Sequence, residues 1–194
     1  MENKGFMQKM KDVFKRYSYY FVLGGLLLVV AVTMIIVGLS SSNQFDDETV
    51  PTNTIVSPYL PVLNASIYKG YYADELVYNA TLKQWETHNA IDFVATNGSK
   101  VYSILDGKVK SVYSNLLEGQ VIVIEHEDGL VSTYGSLAEE VKVKEGDLVN
   151  RGQEIGSLSD SSTGEVDAGA HLHFSLTENG NNIDPAAYLN IATK

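Results

Sequence analysis

Six dipeptides ending in glycine punctuate the second half of the chain: Asn97-Gly98, Asp106-Gly107, Glu118-Gly119, Asp128-Gly129, Glu145-Gly146 and Arg151-Gly152. Between them lie short runs rich in valine, isoleucine, threonine and tyrosine, whose branched or aromatic side chains suit a pleated surface. Pairs of this kind supply the backbone that tight hairpin turns need. The spacing predicts a mostly β domain of antiparallel strands. The run Gln120–Glu125 (QVIVIE) is too continuously apolar for a strand with one wet face, and is expected in the middle of the sheet, covered on both sides. The stretch from residue 60 onward is long enough to bury one hydrophobic core.

The N-terminal part reads differently. Phe21 to Leu39 is a run of nineteen residues with no charge and only Thr33 as a polar side chain, enough for one helix across a hydrocarbon core of about 30 Å. Lys4, Lys9, Lys11, Lys15 and Arg16 precede it, Asp46, Asp47 and Glu48 follow it, and the next basic residue is Lys69. Positive charge stays on the cytoplasmic side, so the expected order is a cytoplasmic tail at 1–18, a transmembrane helix at 19–39, a tether at 40–59 and an extracytoplasmic domain at 60–194. Tyr17, Tyr19 and Tyr20 would anchor the cytoplasmic boundary. Gly38 and Ser40 could mark a cleaved signal peptide, but the apolar run exceeds the usual signal core, which favours a retained anchor. The tether (SSSNQFDDETVPTNTIVSPY) is polar, with two prolines and little to pack.

Beyond residue 40 the chain carries nine Lys and Arg against twenty-two Asp and Glu, a net charge of −13. Such a surface repels nucleic acid and other polyanions and suits a basic partner or simple solubility. There is no cysteine, so disulfides and thiolate metal sites are excluded, and any metal must rest on His, Asp and Glu.

Three of the four histidines fall into two patterns with metal-ligand spacing: His88-Asn89-Ala90-Ile91-Asp92 and His171-Leu172-His173. Alternate residues of a strand share a face, so His88 and Asp92 are expected to project together from one strand and His171 and His173 from another. Two such strands side by side would gather imidazoles and a carboxylate around one ion. Catalytic zinc takes three such ligands and leaves a fourth position for water, with one histidine to spare for acid/base work. An H-x-H pair is equally a polar strand face, so its surroundings decide. The fourth histidine, His126, falls in a charged turn approach and reads as solvated. Ser157–Ala170 (SLSDSSTGEVDAGA) is small and polar with no hydrophobic period, and ends at the H-x-H pair: a mobile loop bordering a site.

Taken in order, HNAID, VYSILDGKV, GQVIVIEHEDGLVSTYGSL, VKVKEGDLVNRGQEIGSLS and AHLHFSLTENGNNIDPAAYL resemble the LytM-type (M23) zinc endopeptidase domain over about residues 86–190. The resemblance implies a LytM-like antiparallel β-sheet fold, zinc as the metal, His88, Asp92 and His173 as its ligands, and His171 as one of two catalytic histidines. The family's other catalytic histidine lies in a Tyr-x-His-Leu motif. Here that place reads Tyr134-Gly135-Ser136-Leu137. A serine hydroxyl does not carry a positive charge at neutral pH or shuttle a proton as imidazole does. Losing such a group costs on the order of 10² to 10³ in rate.

A short N-terminal tail, one anchor, a tether and a LytM domain with Tyr-x-Ser-Leu together resemble the stage II sporulation protein Q family, as does Leu60-Pro61-Val62-Leu63 followed by Tyr68-Lys69-Gly70-Tyr71-Tyr72. That resemblance implies a forespore membrane protein facing the intermembrane space. It also implies a partner, stage III sporulation protein AH or an equivalent mother-cell membrane protein, in engulfment and in a transenvelope channel. Zinc binding with little or no peptidase activity is the expectation. The alternative is an active anchored endopeptidase that cuts peptidoglycan cross-bridges with His171 as the surviving acid/base group. Amidase activators with degenerate LytM domains often carry coiled coils, and no sustained heptads occur here. A lipoyl or biotinyl carrier would need a lysine at a hairpin tip, and none lies between Lys144 and Lys194.

Overall fold

A computed structural model describes residues 7, 9–20, 23, 26–29, 33 and 57–192. It divides into two compact units, Met1–Thr54 and Ile55–Lys194. In the first, residues 9–20 are helical with exposed side chains. The expected span at 19–39 falls mostly on residues outside the described set, as does all of the tether before Ser57. Among the described residues no helix is long and apolar enough to cross a membrane.

The second unit contains twelve strands in the order β1 (Ser66–Lys69), β2 (Tyr72–Asn79), β3 (Gln84–His88), β4 (Ile91–Val94), β5 (Lys100–Tyr102), β6 (Gly107–Asn115), β7 (Gly119–Glu125), β8 (Leu130–Leu137), β9 (Leu148–Val149), β10 (Glu154–Ser157), β11 (His171–Glu178) and β12 (Asn181–Ile183). The main sheet runs β1-β4-β11-β8-β7-β6-β9, with β12 beside β11, and every pairing is antiparallel. β10–β5 and β2–β3 form two smaller sheets. The mostly β expectation holds. β7 lies between β8 and β6, and its consecutive Val121 and Ile122 are both fully buried, so both faces of this strand are covered.

Five of the six anticipated turn glycines, Gly98, Gly119, Gly129, Gly146 and Gly152, have positive φ. Gly107 differs: it opens β6, where a Cβ would stand 2.6 Å from the carbonyl oxygen of Glu125. The segment Asp184-Pro185 starts the helix α1 (Pro185–Leu189). The Asp184 side chain accepts a hydrogen bond from the Ala186 amide at 2.8 Å, Pro185 occupies the first turn, and Asn190 ends the helix in the left-handed conformation.

Alternation along two central strands separates core from site. On β11, Leu172, Phe174 and Leu176 are fully buried in the hydrophobic core, which leaves His171 and His173 on the other face. On β4, Ile91 and Phe93 enter the same core and Asp92 faces the opposite way.

His126 departs from the expectation of a solvated turn residue. It is buried, its Nδ1–H donates to the Asp106 carbonyl at 2.8 Å, and its Nε2 lies 2.7 Å from Ser132 Oγ. Ser132 Oγ is joined in turn to the Tyr134 hydroxyl at 3.1 Å. The side chain turns inward because these partners satisfy both ring nitrogens, and burial pushes its pKa down against the opposing hydrogen bond to Asp106.

Candidate metal centre

Lys69, Asp92, His173 and Gly135 form one row across β1, β4, β11 and β8, each the register partner of the next. Two of these side chains reach the site face by ordinary alternation. Lys69 arrives there through a bulge. Ile67 pairs with Phe93 while Lys69 pairs with Asp92, so two steps along β1 match one along β4, and the extra residue turns the lysine onto the aspartate's face.

His88 does not share a strand with Asp92, contrary to the spacing argument. It ends β3 in the separate β2–β3 sheet, and Asn89 and Ala90 break the chain direction before β4 begins. The two side chains nonetheless meet, with His88 Nε2 3.4 Å from Asp92 Oδ2. The hairpin and the main sheet thus converge on one point. His88 Nδ1–H donates to the Gly70 carbonyl at 2.6 Å, which fixes the tautomer and leaves the Nε2 lone pair facing inward. His171 is held the same way: Nδ1–H donates to the Gly169 carbonyl at 2.7 Å and Nε2 points to the cluster. His173 Nδ1 stands 2.9 Å from Asp92 Oδ1 and 2.9 Å from Glu165 Oε2.

Glu165 comes from the polar loop before β11 and was not visible as a site residue in the sequence. Its carboxylate is 2.6 Å from Lys69 Nζ, 3.7 Å from His88 Nε2 and 3.5 Å from His171 Nε2. The loop does border the site as anticipated, but hydrogen bonds hold it down: Gly164 N–H donates to Leu117 O at 3.0 Å and Asn79 Nδ2 donates to Gly164 O at 3.1 Å.

The electrostatics follow from two buried carboxylates among cations. Burial opposes charge on Asp92 and Glu165, but the His173 Nδ1 bonded to both, with His88 close to Asp92 and His171 and the Lys69 ammonium close to Glu165, outweighs it, and both titrate below the usual carboxylate range. Burial likewise opposes the His173 imidazolium, yet hydrogen bonds to Asp92 and Glu165 raise its pKa to about 10. His171 and Lys69 are also raised, in each case by Glu165 against desolvation.

Among the described residues three buried side-chain atoms have no hydrogen-bond partner: His88 Nε2, Asp92 Oδ2 and His171 Nε2. Orphaned buried polar atoms are rare in folded proteins and call for a ligand. Here His88 Nε2 and Asp92 Oδ2 face each other at 3.4 Å, and His171 Nε2 stands 3.5 Å from Glu165 Oε2. One donor atom from each of His88, Asp92, Glu165 and His173 lies within 4.8 Å of every other. Zinc bonds of 2.0 to 2.2 Å imply tetrahedral edges of about 3.3 to 3.6 Å, and the nearest imidazole–carboxylate approaches, through one or the other oxygen of each carboxylate, run from 2.9 to 3.7 Å. The donor set of imidazole and carboxylate suits zinc. The residues present therefore fit a bound ion.

Ser136 stays out of this cluster. It is fully buried with φ 58°, and its hydroxyl donates to the Ser159 carbonyl at 3.0 Å. Ser159 is in turn bridged to His171, so Ser136 sits one chain segment away from the histidine it would need to work with.

An antiparallel sheet that presents an Asp and an H-x-H pair on neighbouring strands, with a further histidine brought in beside them, defines a LytM-type metallopeptidase domain. Residues 86–185 match peptidase family M23, and the chain belongs to that family. It is 28% identical over 167 residues to stage II sporulation protein Q of Bacillus subtilis, covering 78% of this chain and 57% of that protein. It is 38% identical over 97 residues to the peptidoglycan DD-endopeptidase ShyB of Vibrio cholerae, covering 50% of this chain and 22% of the endopeptidase. Among solved structures, a chain of the SpoIIQ–SpoIIIAH pore-forming complex superposes with a TM-score of 0.61 at 28% identity, covering 69% of this chain and 90% of that one.

Proposed function

We propose that this chain is a single-pass sporulation protein of the forespore membrane, with residues 1–18 in the cytoplasm and an M23 domain that binds a mother-cell partner of the stage III sporulation protein AH kind across the intermembrane space. The domain holds zinc through His88, Asp92 and His173 and has little or no peptidase activity. The observation that carries this reading is Ser136. Where the peptidases have an imidazole, this chain has a hydroxyl already committed to a backbone carbonyl, so no group there can stabilise a developing oxyanion or move a proton. The likeness in fold and sequence to a protein solved in complex with SpoIIIAH supports the choice of partner. The uncharged run at 21–39 with basic residues before it supports the anchor.

Bound with a coordination position left open, zinc would supply Lewis acidity to a carbonyl or to water. The chain's own residues do the rest: the Gly70 and Gly169 carbonyls fix the His88 and His171 tautomers. The test is titration of the partner's extracytoplasmic domain into the purified full-length chain. Saturable one-to-one binding is expected, and absence of binding by calorimetry overturns the reading.

The endopeptidase reading retains one specific support. His171 keeps an unpaired, buried Nε2 directed at the cluster, as an acid/base group requires. Release of soluble fragments from purified peptidoglycan would establish it.

A further inference from the structure

We infer that Glu165 is a fourth protein ligand that closes the metal centre; the inference rests on the reading that His88, Asp92 and His173 hold the metal. Catalytic zinc keeps one position open to water, whereas structural zinc has four protein ligands. One donor oxygen of Glu165 lies within 4.8 Å of a donor atom of each of His88, Asp92 and His173, so the residue is in reach of a fourth position. Its Oε2 is 2.9 Å from His173 Nδ1, its Oε1 is 3.7 Å from His88 Nε2, and the residue is only 8% exposed.

This placement is imposed from both sides of the residue. Ahead of it, Ser162 Oγ and Gly164 N–H both donate to the Leu117 carbonyl, at 2.6 and 3.0 Å. Behind it, Asp167 accepts hydrogen bonds from the Tyr68 hydroxyl at 2.6 Å and from the Thr81 hydroxyl, and its own N–H donates back to Thr81 Oγ1 at 3.1 Å. β1, the β2–β3 turn and the β6–β7 turn together fasten the loop, so the carboxylate is not a surface acid that happened to swing inward. The orphaned, buried His88 Nε2 and Asp92 Oδ2, 3.4 Å apart and both from residues of the cluster, point to a ligand at the same place.

A metal held by four protein ligands has no site for a substrate carbonyl or a nucleophilic water. The centre then stiffens the join between the β2–β3 hairpin, the main sheet and the loop, tying four separate segments to one ion.

Cobalt(II) tests this, because its visible ligand-field bands report both binding and open coordination positions. The full-length chain, its Glu165→Ala and Glu165→Gln variants, and His88→Ala are loaded with cobalt and titrated with azide. Wild-type bands are expected to stay unchanged by azide. Glu165→Ala should bind cobalt about 10- to 100-fold more weakly, the scale of losing a supporting group at a metal site, and its bands should shift with azide. Glu165→Gln, nearly isosteric, provides the same comparison if the alanine variant does not fold. Equal azide responses in wild type and both variants, with cobalt bound and lost in His88→Ala, overturn the fourth ligand alone. No cobalt in wild type, or cobalt retained in His88→Ala, overturns the metal assignment and Glu165 with it.

Discussion

The Lys69 ammonium lies 2.6 Å from Glu165 Oε1 and 3.8 Å from Asp92 Oδ2, so a fixed cation shares two carboxylates with the position a metal would take. Without the ion, Lys69 and protonated His173 offset the two buried negative charges. With it, the lysine becomes a like-charged neighbour, since unit charges a few ångströms apart near a protein surface still interact by several kcal/mol at an effective dielectric of about 20.

Lys69→Met should therefore tighten zinc binding, by about three- to tenfold, while lowering the stability of the metal-free protein. Competition against a fluorescent chelator reads the first effect and thermal melting in EDTA reads the second. Weaker zinc binding in the variant would show that Lys69 orders the site rather than opposing the metal.

The metal-free protein should have a defined pH window of greatest stability. Asp92 and Glu165 have depressed pKa values, so the stability they lend is present above the unfolded carboxylate values of about 4 and is lost as pH falls through the lower folded values. His173 is raised to about 10, so its contribution is complete below the unfolded value of about 6.5 and is lost as pH rises through about 10. Melting temperature in EDTA should peak between about pH 4.5 and 6.5 and fall toward pH 10. Zinc should flatten the alkaline side, because the metal needs His173 deprotonated. A metal-free melting temperature that climbs from pH 6 to 9 would contradict this.

Ser136→Ala removes one of the two hydrogen bonds to the buried Ser159 carbonyl, which keeps the His171 N–H as a donor at 3.1 Å. Urea unfolding should show a loss of about 0.5 to 1.5 kcal/mol. Zinc affinity should be unchanged, since the hydroxyl is not part of the cluster. A variant that loses zinc instead would place Ser136 within the metal site.

Gly107→Ala drives a Cβ against the Glu125 carbonyl at 2.6 Å and His126 Nδ1 at 2.7 Å, both parts of well-anchored structure. Overpacking of this kind costs about 1 to 3 kcal/mol. The same measurement on Gly98→Ala, where a Cβ meets nothing within 4 Å, isolates the effect of φ from that of crowding. Equal losses at both positions would mean that crowding at Gly107 is relieved by the backbone.

How far the sequence could be read depended on the range of the interactions. Alternation is local, so it correctly put His171 with His173 on one face of β11 and marked β7 as a covered strand. It failed at His88 because Asn89-Ala90 redirects the chain, and spacing alone does not distinguish one strand from two. Lys69 was hidden by a bulge, which reverses the facing that alternation predicts. Glu165 sits in a segment with no period, and the contacts that fix it come from Lys69 and Thr81, more than eighty residues away. His126 looked polar and turn-like because its partners, Asp106 and Ser132, are supplied by the folded sheet.

Digestion of purified peptidoglycan by the zinc-loaded full-length chain, beside His88→Ala, tests the central claim most directly. A contact protein with Ser136 at the second histidine's place and Glu165 closing the metal should release no more soluble fragments than the His88→Ala control. Release by the wild type that His88→Ala abolishes would contradict that account and establish a working endopeptidase.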